Sequence, residues 1–398
     1  MKSEKKERVL LLSGTASMLE QFNRNNIRIL REQSYDVDIA CNFRFGNTEP
    51  PEQVCAFQKE MEVLGVQCYQ IDFPRGAGTP RSDYRAFRQI QALLNRREYA
   101  FVHCHTPTAA AIGRLACFCA GVTVVYTCHG FQFFHGGRRR DWLFFYPLES
   151  LLSRRTHTLI TVNRDDYRIA SGHFHARYTC YIPGVGIDWK RYACCARTKE
   201  DCRDALSIPR DAFVLLSVGE LNDRKNHGAV IRAMALLKDS GCQYYIAGIG
   251  TRETARQELM NLAKSLGVGG QVHLIGYRTD LEYWYKAADV AFLLSKREGF
   301  GMAGLEAMAS GLPLVTTGTG GISDYFRDQE NGFLCRAEDY EKLSHIIARL
   351  ESDPALREQM GKRGREIARE YDSSRVDERM WRIYEGLREK EAGSSVLS

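Results

Sequence analysis

Residues 296–317, KREGFGMAGLEAMASGLPLVTT, set two glutamates about a glycine-rich turn. Glu298 stands before Gly299, Phe300 and Gly301, and Glu306 follows Glu298 by eight residues, with seven between. The run before it, DVAFLLS (residues 289–295), has the composition of a buried strand. After the turn, AGLEAMAS has that of a helix, Gly311 is a stop, and LPLVTT reads as the next strand. Strand, glycine turn, helix and strand make the repeating element of a parallel α/β sheet.

The turn has a chemical use. A helix N-terminus offers backbone N–H groups without intrahelical partners and the positive end of the dipole, and glycines let a phosphate come close. Carboxylates repel phosphates, but they accept hydrogen bonds from hydroxyls on either side of a diphosphate. The spacing therefore suits a nucleotide-sugar, with sugar hydroxyls at Glu298 and ribose hydroxyls at Glu306. An ordinary βαβ turn, with a solvated Glu298 and a salt-bridged Glu306, is equally compatible with the spacing alone.

The segment resembles the E-x7-E signature of the family-4 retaining glycosyltransferases. Three further segments are similar to that family in the same order. LLSVGELNDRKNHGAVIRAMALL (residues 215–237) reads as strand, polar loop and amphipathic helix, with Lys225 where the family places a cation for the donor diphosphate. Many members carry Arg after the glycine; this chain has Glu220, so Lys225, with Arg224, is the cation that carries over. TCHGFQFF (residues 127–134) resembles the family's HG segment, and YIPGVGID (residues 181–188) the segment joining its halves. The resemblance spans about residues 8–384 of the chain's 398. It implies a GT-B architecture: two Rossmann-like, doubly wound parallel-sheet domains facing a cleft.

Under the resemblance, residues 1–192 form an acceptor-side domain and residues 193–372 the donor-binding domain. Residues 373–398 supply a helix that crosses back to the first domain, then a disordered tail after Glu391. Lys225, Arg224 and the amides of Gly299, Phe300, Gly301, Met302 and Ala303 hold the diphosphate, and Glu306 the ribose. Glu298 and His129 are the catalytic candidates, both directed at the transferred sugar. SGTAS (residues 13–17) is expected as a short loop after the first strand, with the Gly14 amide facing the donor. Gly320 and Gly321 form another turn into a helix, capped by Asp324. The expected activity moves a hexose or N-acetylhexosamine from a UDP-sugar to a lipid-linked sugar or oligosaccharide acceptor, in bacterial capsule or exopolysaccharide synthesis. The leaving phosphate takes the acceptor proton, so stereochemistry is retained. No cofactor or metal is implied; the nucleotide-sugar is a substrate.

Composition limits the alternatives. The length predicts two domains, and 44% apolar with 26% charged residues is ordinary for a globular chain. No run of apolar residues is long enough to span a bilayer, and the apolar run at residues 9–12 is too short for a signal peptide. A cytoplasmic location follows as the expectation. Thirteen cysteines, an odd number scattered singly at positions such as Cys41, Cys68, Cys104 and Cys128, read as reduced core thiols. His103 and His105 in VHCHT read as a polar strand end, not a metal site, and no paired CxxC units occur.

The net charge of +6 is modest, but Arg138, Arg139 and Arg140 run into an aromatic-rich helix expected over residues 142–154. Peripheral contact with an anionic inner membrane face fits that element. A helix packed inside its domain with solvated arginines fits it as well. No nucleic-acid module appears. Two other classes share the cleft. A UDP-sugar 2-epimerase needs acid–base carboxylates in the first domain, which the sequence does not reveal; a non-catalytic sugar-nucleotide sensor needs only the donor site. An NAD enzyme would need a dinucleotide fingerprint, and the nearest candidate, GIGTRE (residues 248–253), lacks the third glycine.

Overall fold

The computed structural model describes residues 6–76, 78–134, 137–237, 240–250, 252 and 254–389. The tail after Glu391 and two positions of GIGTRE lie outside the described residues. The chain divides into two compact units. One comprises Met1–Val185 with Val376–Ser398, the other Gly186–Arg375.

The first unit is built on a seven-stranded parallel sheet. Its strands are β1 (Arg8–Thr15), β2 (Asp36–Asn42), β3 (Gln67–Gln70), β4 (Phe101–His105), β5 (Thr123–Cys128), β6 (Thr158–Thr161) and β7 (Tyr178–Tyr181), in the order β3-β2-β1-β4-β5-β6-β7. The central strands are buried along most of their length, as in a parallel sheet covered on both faces. Leu10, Leu12, Val102, Cys104 and Val124 are all buried in one core. The terminal helix Ser373–Glu389 belongs to this unit from Val376 onward. It buries Val376, Met380, Ile383 and Tyr384, and the Trp381 carbonyl accepts from Gln33 Nε2 at 2.9 Å.

The second unit is a six-stranded parallel sheet of β8 (Val214–Val218), β9 (Gln243–Ala247), β10 (Val272–Gly276), β11 (Val290–Leu293), β12 (Leu314–Thr316) and β13 (Gly332–Leu334). Its order is β10-β9-β8-β11-β12-β13. Leu215, Ile246, Phe292 and Val315 anchor a separate core.

Each sheet is wound in two directions from its middle. In the first unit the winding reverses between β1 and β4, in the second between β8 and β11. At such a point the connections leave on opposite faces, and the carboxyl ends of the two strands open a crevice. The stretch quoted first follows β11 and opens the helix Met302–Ala309, so it stands at the second unit's reversal.

One local expectation is corrected. SGTAS is not a loop: β1 runs to Thr15 and the helix Ala16–Glu32 begins at once. The Gly14 N–H is donated to Thr106 Oγ1 at 3.0 Å, which holds this backbone in place beside β4 and leaves no slack for a turn. The basic helix also starts earlier than expected, spanning Arg139–Ser153.

Candidate active site

In the second unit, the loop after β8 and the turn after β11 are fastened together. Lys296 N donates to the Arg224 carbonyl at 2.8 Å, and Arg224 Nη1 to the Arg297 carbonyl at 3.2 Å. The loop itself is closed by His227, whose Nε2 donates to the Glu220 carbonyl at 3.0 Å. Burial drops the His227 pKa to about 4, so this brace is a neutral imidazole. Glu220 Oε2 accepts from Asn222 Nδ2 at 2.7 Å.

This fastening brings Lys225 and Glu298 together, 73 residues apart in sequence. Lys225 Nζ lies 2.6 Å from Glu298 Oε1, and Ser295 Oγ donates to the same oxygen at 2.6 Å. Arg224 Nη1 stands 3.5 Å from Glu298 Oε2. The Glu298 side chain is only 8% exposed. Burial favours the protonated acid, but the charges of Lys225 and Arg224 and the hydrogen bonds from Lys225 and Ser295 outweigh it, so the carboxyl is held below its usual range. The result is an ionised pair at the winding reversal.

Two glycines make room for this geometry. Gly219, at φ +153°, ends β8; a Cβ there would sit 2.9 Å from Lys225 Cε. Gly320, at φ +62°, would put a Cβ 1.9 Å from the Glu298 carbonyl oxygen. Gly321 N donates to the Gly299 carbonyl at 3.2 Å, laying the turn after β12 against the glutamate turn. Thr317 Oγ1 and Thr319 Oγ1 both donate to the Ser295 carbonyl, at 2.6 and 3.0 Å.

Glu306 projects from the helix Met302–Ala309 beside two tyrosines. The Tyr285 hydroxyl is 3.1 Å from both Glu306 Oε2 and the Ala303 carbonyl oxygen. Burial raises the Glu306 pKa, and hydrogen bonds from Tyr285 and Tyr192 with the charge of Arg191 counter only part of that rise. The two glutamates are thus poised differently, one held below and the other above the usual carboxylate range. Phe300 turns inward, its ring 5.5 Å from Tyr325 and 5.7 Å from Tyr371, so it packs the turn while its backbone continues into the helix. Tyr325 OH donates to the Gly301 carbonyl at 2.7 Å and fixes the helix start.

The first unit gathers histidines at its own reversal. His103 and His105 lie on the same side of β4, ring centres 4.1 Å apart. His103 is hydrogen-bonded at both nitrogens, to Tyr384 OH and Thr127 Oγ1, each at 2.8 Å, which leaves neither to a metal. His105 Nδ1 meets His129 Nε2 at 3.1 Å. Burial drops the His129 pKa to about 4, and burial with the neighbouring imidazoles pushes that of His105 well below its usual value. Thr106, the residue after His105, accepts from the Gly14 N–H at 3.0 Å. Among the described residues no cluster of three or more His, Cys, Asp or Glu is arranged to hold a metal. All thirteen cysteines are free thiols.

Sequence reasoning missed Ser295, His227, Tyr285 and Tyr192. Ser295 carried a signal, a small hydroxyl ending an apolar strand run. The tyrosines carried none, because only packing brings them to Glu306.

Comparison with known proteins bears on the family and the fold. Residues 198–367 match the family of glycosyl transferases group 1, and residues 19–183 match the glycosyl transferase 4-like domain. The chain is 35% identical over 305 residues to EpsD of Bacillus subtilis (strain 168), a protein named as a glycosyltransferase, covering 75% of this chain and 79% of that one. It is 26% identical over 353 residues to the Escherichia coli UDP-Gal:alpha-D-GlcNAc-diphosphoundecaprenol alpha-1,3-galactosyltransferase, covering 87% of each. Among solved structures, Anabaena Alr3699/HepE in complex with UDP and glucose superposes with a TM-score of 0.75 at 19% identity, over 96% of this chain and 99% of that one. The last likeness shows the fold. By family match, relatives and architecture together, the chain belongs to the family-4 glycosyltransferases and is an enzyme of GT-B fold.

Proposed function

We propose that this enzyme moves a hexose or N-acetylhexosamine from a UDP-sugar to a lipid-linked sugar, with retention of configuration, in exopolysaccharide or capsule synthesis. The observation that carries the reading is the ionised Lys225–Glu298 pair at the winding reversal, eight residues before Glu306. The Escherichia coli relative, named for a UDP-sugar donor and a diphosphoundecaprenol-linked acceptor, supports the choice of both substrates.

Breaking a sugar–phosphate bond builds positive charge at the anomeric carbon and negative charge on the departing diphosphate. Lys225, Arg224 and the amides from Gly299 to Ala303 supply fixed positive potential for the diphosphate. They do so as side chains and backbone, which is why the reading assigns no metal a role. Glu298, kept ionised, accepts hydrogen bonds from the sugar hydroxyls and fixes the donor's position. Glu306 takes the ribose hydroxyls. His129 is neutral at physiological pH, so it offers the sugar a directed hydrogen bond without placing a cation beside the developing positive charge. The departing phosphate oxygen takes the acceptor's proton as the new bond forms on the same face.

Calorimetry in EDTA with UDP, UDP-sugars, GDP-mannose and NAD tests the donor. UDP-sugars are expected to bind, and Glu306→Ala to weaken UDP about tenfold or more, the cost of a charged hydrogen-bond pair. Glu298→Ala is expected to lower turnover more than donor affinity. Binding of GDP-mannose alone would replace the donor, and wild-type behaviour of both variants would overturn the site.

A further inference from the structure

The period of a strand sets four polar side chains on one face of the first sheet. His105 of β4 pairs with Thr127 of β5, and side chains two residues apart share a side. His103 and His105 therefore stand beside Thr127, and two residues beyond Thr127 comes His129. The contacts follow that register. His103 Nε2 meets Thr127 Oγ1 at 2.8 Å, and His105 Nδ1 meets His129 Nε2 at 3.1 Å. His105 is 1% exposed and lies against the His103 ring, which is hydrogen-bonded at both nitrogens.

The contact between His105 and His129 holds a single proton. Burial lowers the pKa of both rings, so each is neutral and carries one N–H at physiological pH. Two facing N–H groups would clash and two facing lone pairs would repel, so one ring donates to the other.

The far nitrogen of His105 decides which. His105 Nε2 is buried and has no hydrogen-bond partner among the described residues. With His129 as donor, the His105 proton would sit on that Nε2, an N–H sealed from any acceptor. With His105 as donor, the same atom keeps only a lone pair. A buried N–H without an acceptor is rarer than an acceptor short of a donor, so the second arrangement is the less costly.

We propose that His105 is a positioning residue for the transfer: its Nδ1–H donates to His129 Nε2, which fixes the His129 proton on Nδ1 and leaves that N–H for the transferred sugar. His129 is half-buried, and its Nδ1 has no hydrogen bond to a described residue. Without His105, part of the population would carry the proton on Nε2 and present a lone pair at Nδ1. This role rests on the proposed contact between His129 and the sugar, whereas the place of the proton on the ring does not.

Nitrogen-15 spectra of the full-length protein labelled at histidine test the tautomer, with His129→Gln assigning the signal. His129 is expected as Nδ1–H in the wild type and as a mixture of tautomers in His105→Leu. Steady-state transfer by His105→Leu should show kcat lowered about tenfold, the scale of an outer partner that orients an imidazole, with donor KM little changed. His105→Asn puts an amide N–H near the place of Nδ1 and should restore kcat to within about threefold. Thermal melting shows whether each variant is folded.

His105→Asp should invert the bond. A carboxylate only accepts, so it draws the proton to His129 Nε2 and raises the His129 pKa. Facing His129 are His105, with His103 behind it, on β4 and Phe22 on the helix Ala16–Glu32, all uncharged. Burial alone lowers the wild-type pKa, so an imidazole limb absent from the wild type should appear in the pH–rate profile of His105→Asp. If that variant does not fold, His105→Leu and His105→Asn decide the case with the spectra. His129 protonated on Nε2 in the wild type, or an unchanged tautomer in His105→Leu, would overturn the proposal. So would a His105→Asn enzyme as slow as His105→Leu. Wild-type turnover in His129→Ala would remove the sugar contact, and with it the role of His105 in transfer, while the spectra would still place the proton.

Discussion

The two sheets reverse their winding in the same way, yet their reversals carry opposite electrostatics. In the second unit the crevice ends of β8 and β11 hold Lys225 and Glu298 as a buried, fully charged pair. In the first, the crevice ends of β1, β4 and β5 hold Gly14, His105 and His129, and burial keeps both imidazoles neutral. A doubly wound sheet therefore sets where a ligand crevice opens, while the residues just past the strand ends set what it can bind. Under the proposed function, the charged pair serves the departing diphosphate, and a neutral imidazole suits a sugar carbon that becomes positive.

The sharpest way to break this contrast is to remove the cation. Lys225→Ala leaves Glu298 buried beside the more distant Arg224, and kcat/KM is expected to fall about a thousandfold or more. Steady-state transfer assays read this directly; a change below tenfold would remove Lys225 from the chemistry. Next in size is Gly320→Ala. Its Cβ would lie 1.9 Å from the Glu298 carbonyl oxygen, so the glutamate turn must shift. Such a displacement is expected to cost about a hundredfold in turnover, while a wild-type rate would show that the turn is compliant.

His129→Ala should lower turnover about ten- to a hundredfold with little change in donor KM, the scale of one positioned hydrogen bond. The pH profile sharpens the same point. With its pKa near 4, His129 stays neutral above that pH, so the rate should show no imidazole inflection between about pH 6 and 8. An inflection there that disappears in His129→Ala would mean that the first unit's reversal is charged after all. Glu306 gives the opposite dependence. Its raised pKa means that ionisation, and with it UDP affinity, is lost as pH falls through a range above the ordinary glutamate value. Glu306→Gln should flatten that limb.

The smallest effect concerns Glu49, in the first unit. Burial and contact with Glu20 push its pKa up to about 7. The fold therefore binds a proton that the unfolded chain releases near its ordinary pKa. The stability this gives is full below that ordinary value and is lost as pH rises through about 7. Glu49→Gln is expected to raise stability at pH 8 by on the order of 1 kcal/mol and to change it little in acid. Thermal melting at the two pH values checks this.

The parallel strands were legible because strands buried on both faces carry near-continuous apolar runs, as Val9–Leu12 in RVLLLSG and Val290–Leu294 in DVAFLLS do. The strand β7 was not marked this way, since all four of its residues are half-buried at the sheet edge. Glycines and glutamates at strand ends pointed to the donor turn, because a phosphate-sized ligand demands small residues and a helix start. The same reasoning expected a loop at SGTAS, where β1 instead runs to Thr15 and Thr106 Oγ1, 92 residues on, accepts from the Gly14 N–H.

By itself the sequence determined two doubly wound sheets and the glycine turn after β11, and its resemblance to a family singled out Lys225, Glu298, Glu306 and His129. The sheets and the turn follow from local composition and period, which act within a few residues. Only the tertiary structure decided that Lys225 and Glu298 form one ion pair, that Tyr285 and Tyr192 flank Glu306, and that His105 meets His129. Those pairings join residues far apart in the chain, and their ionisation depends on burial, which no linear pattern fixes.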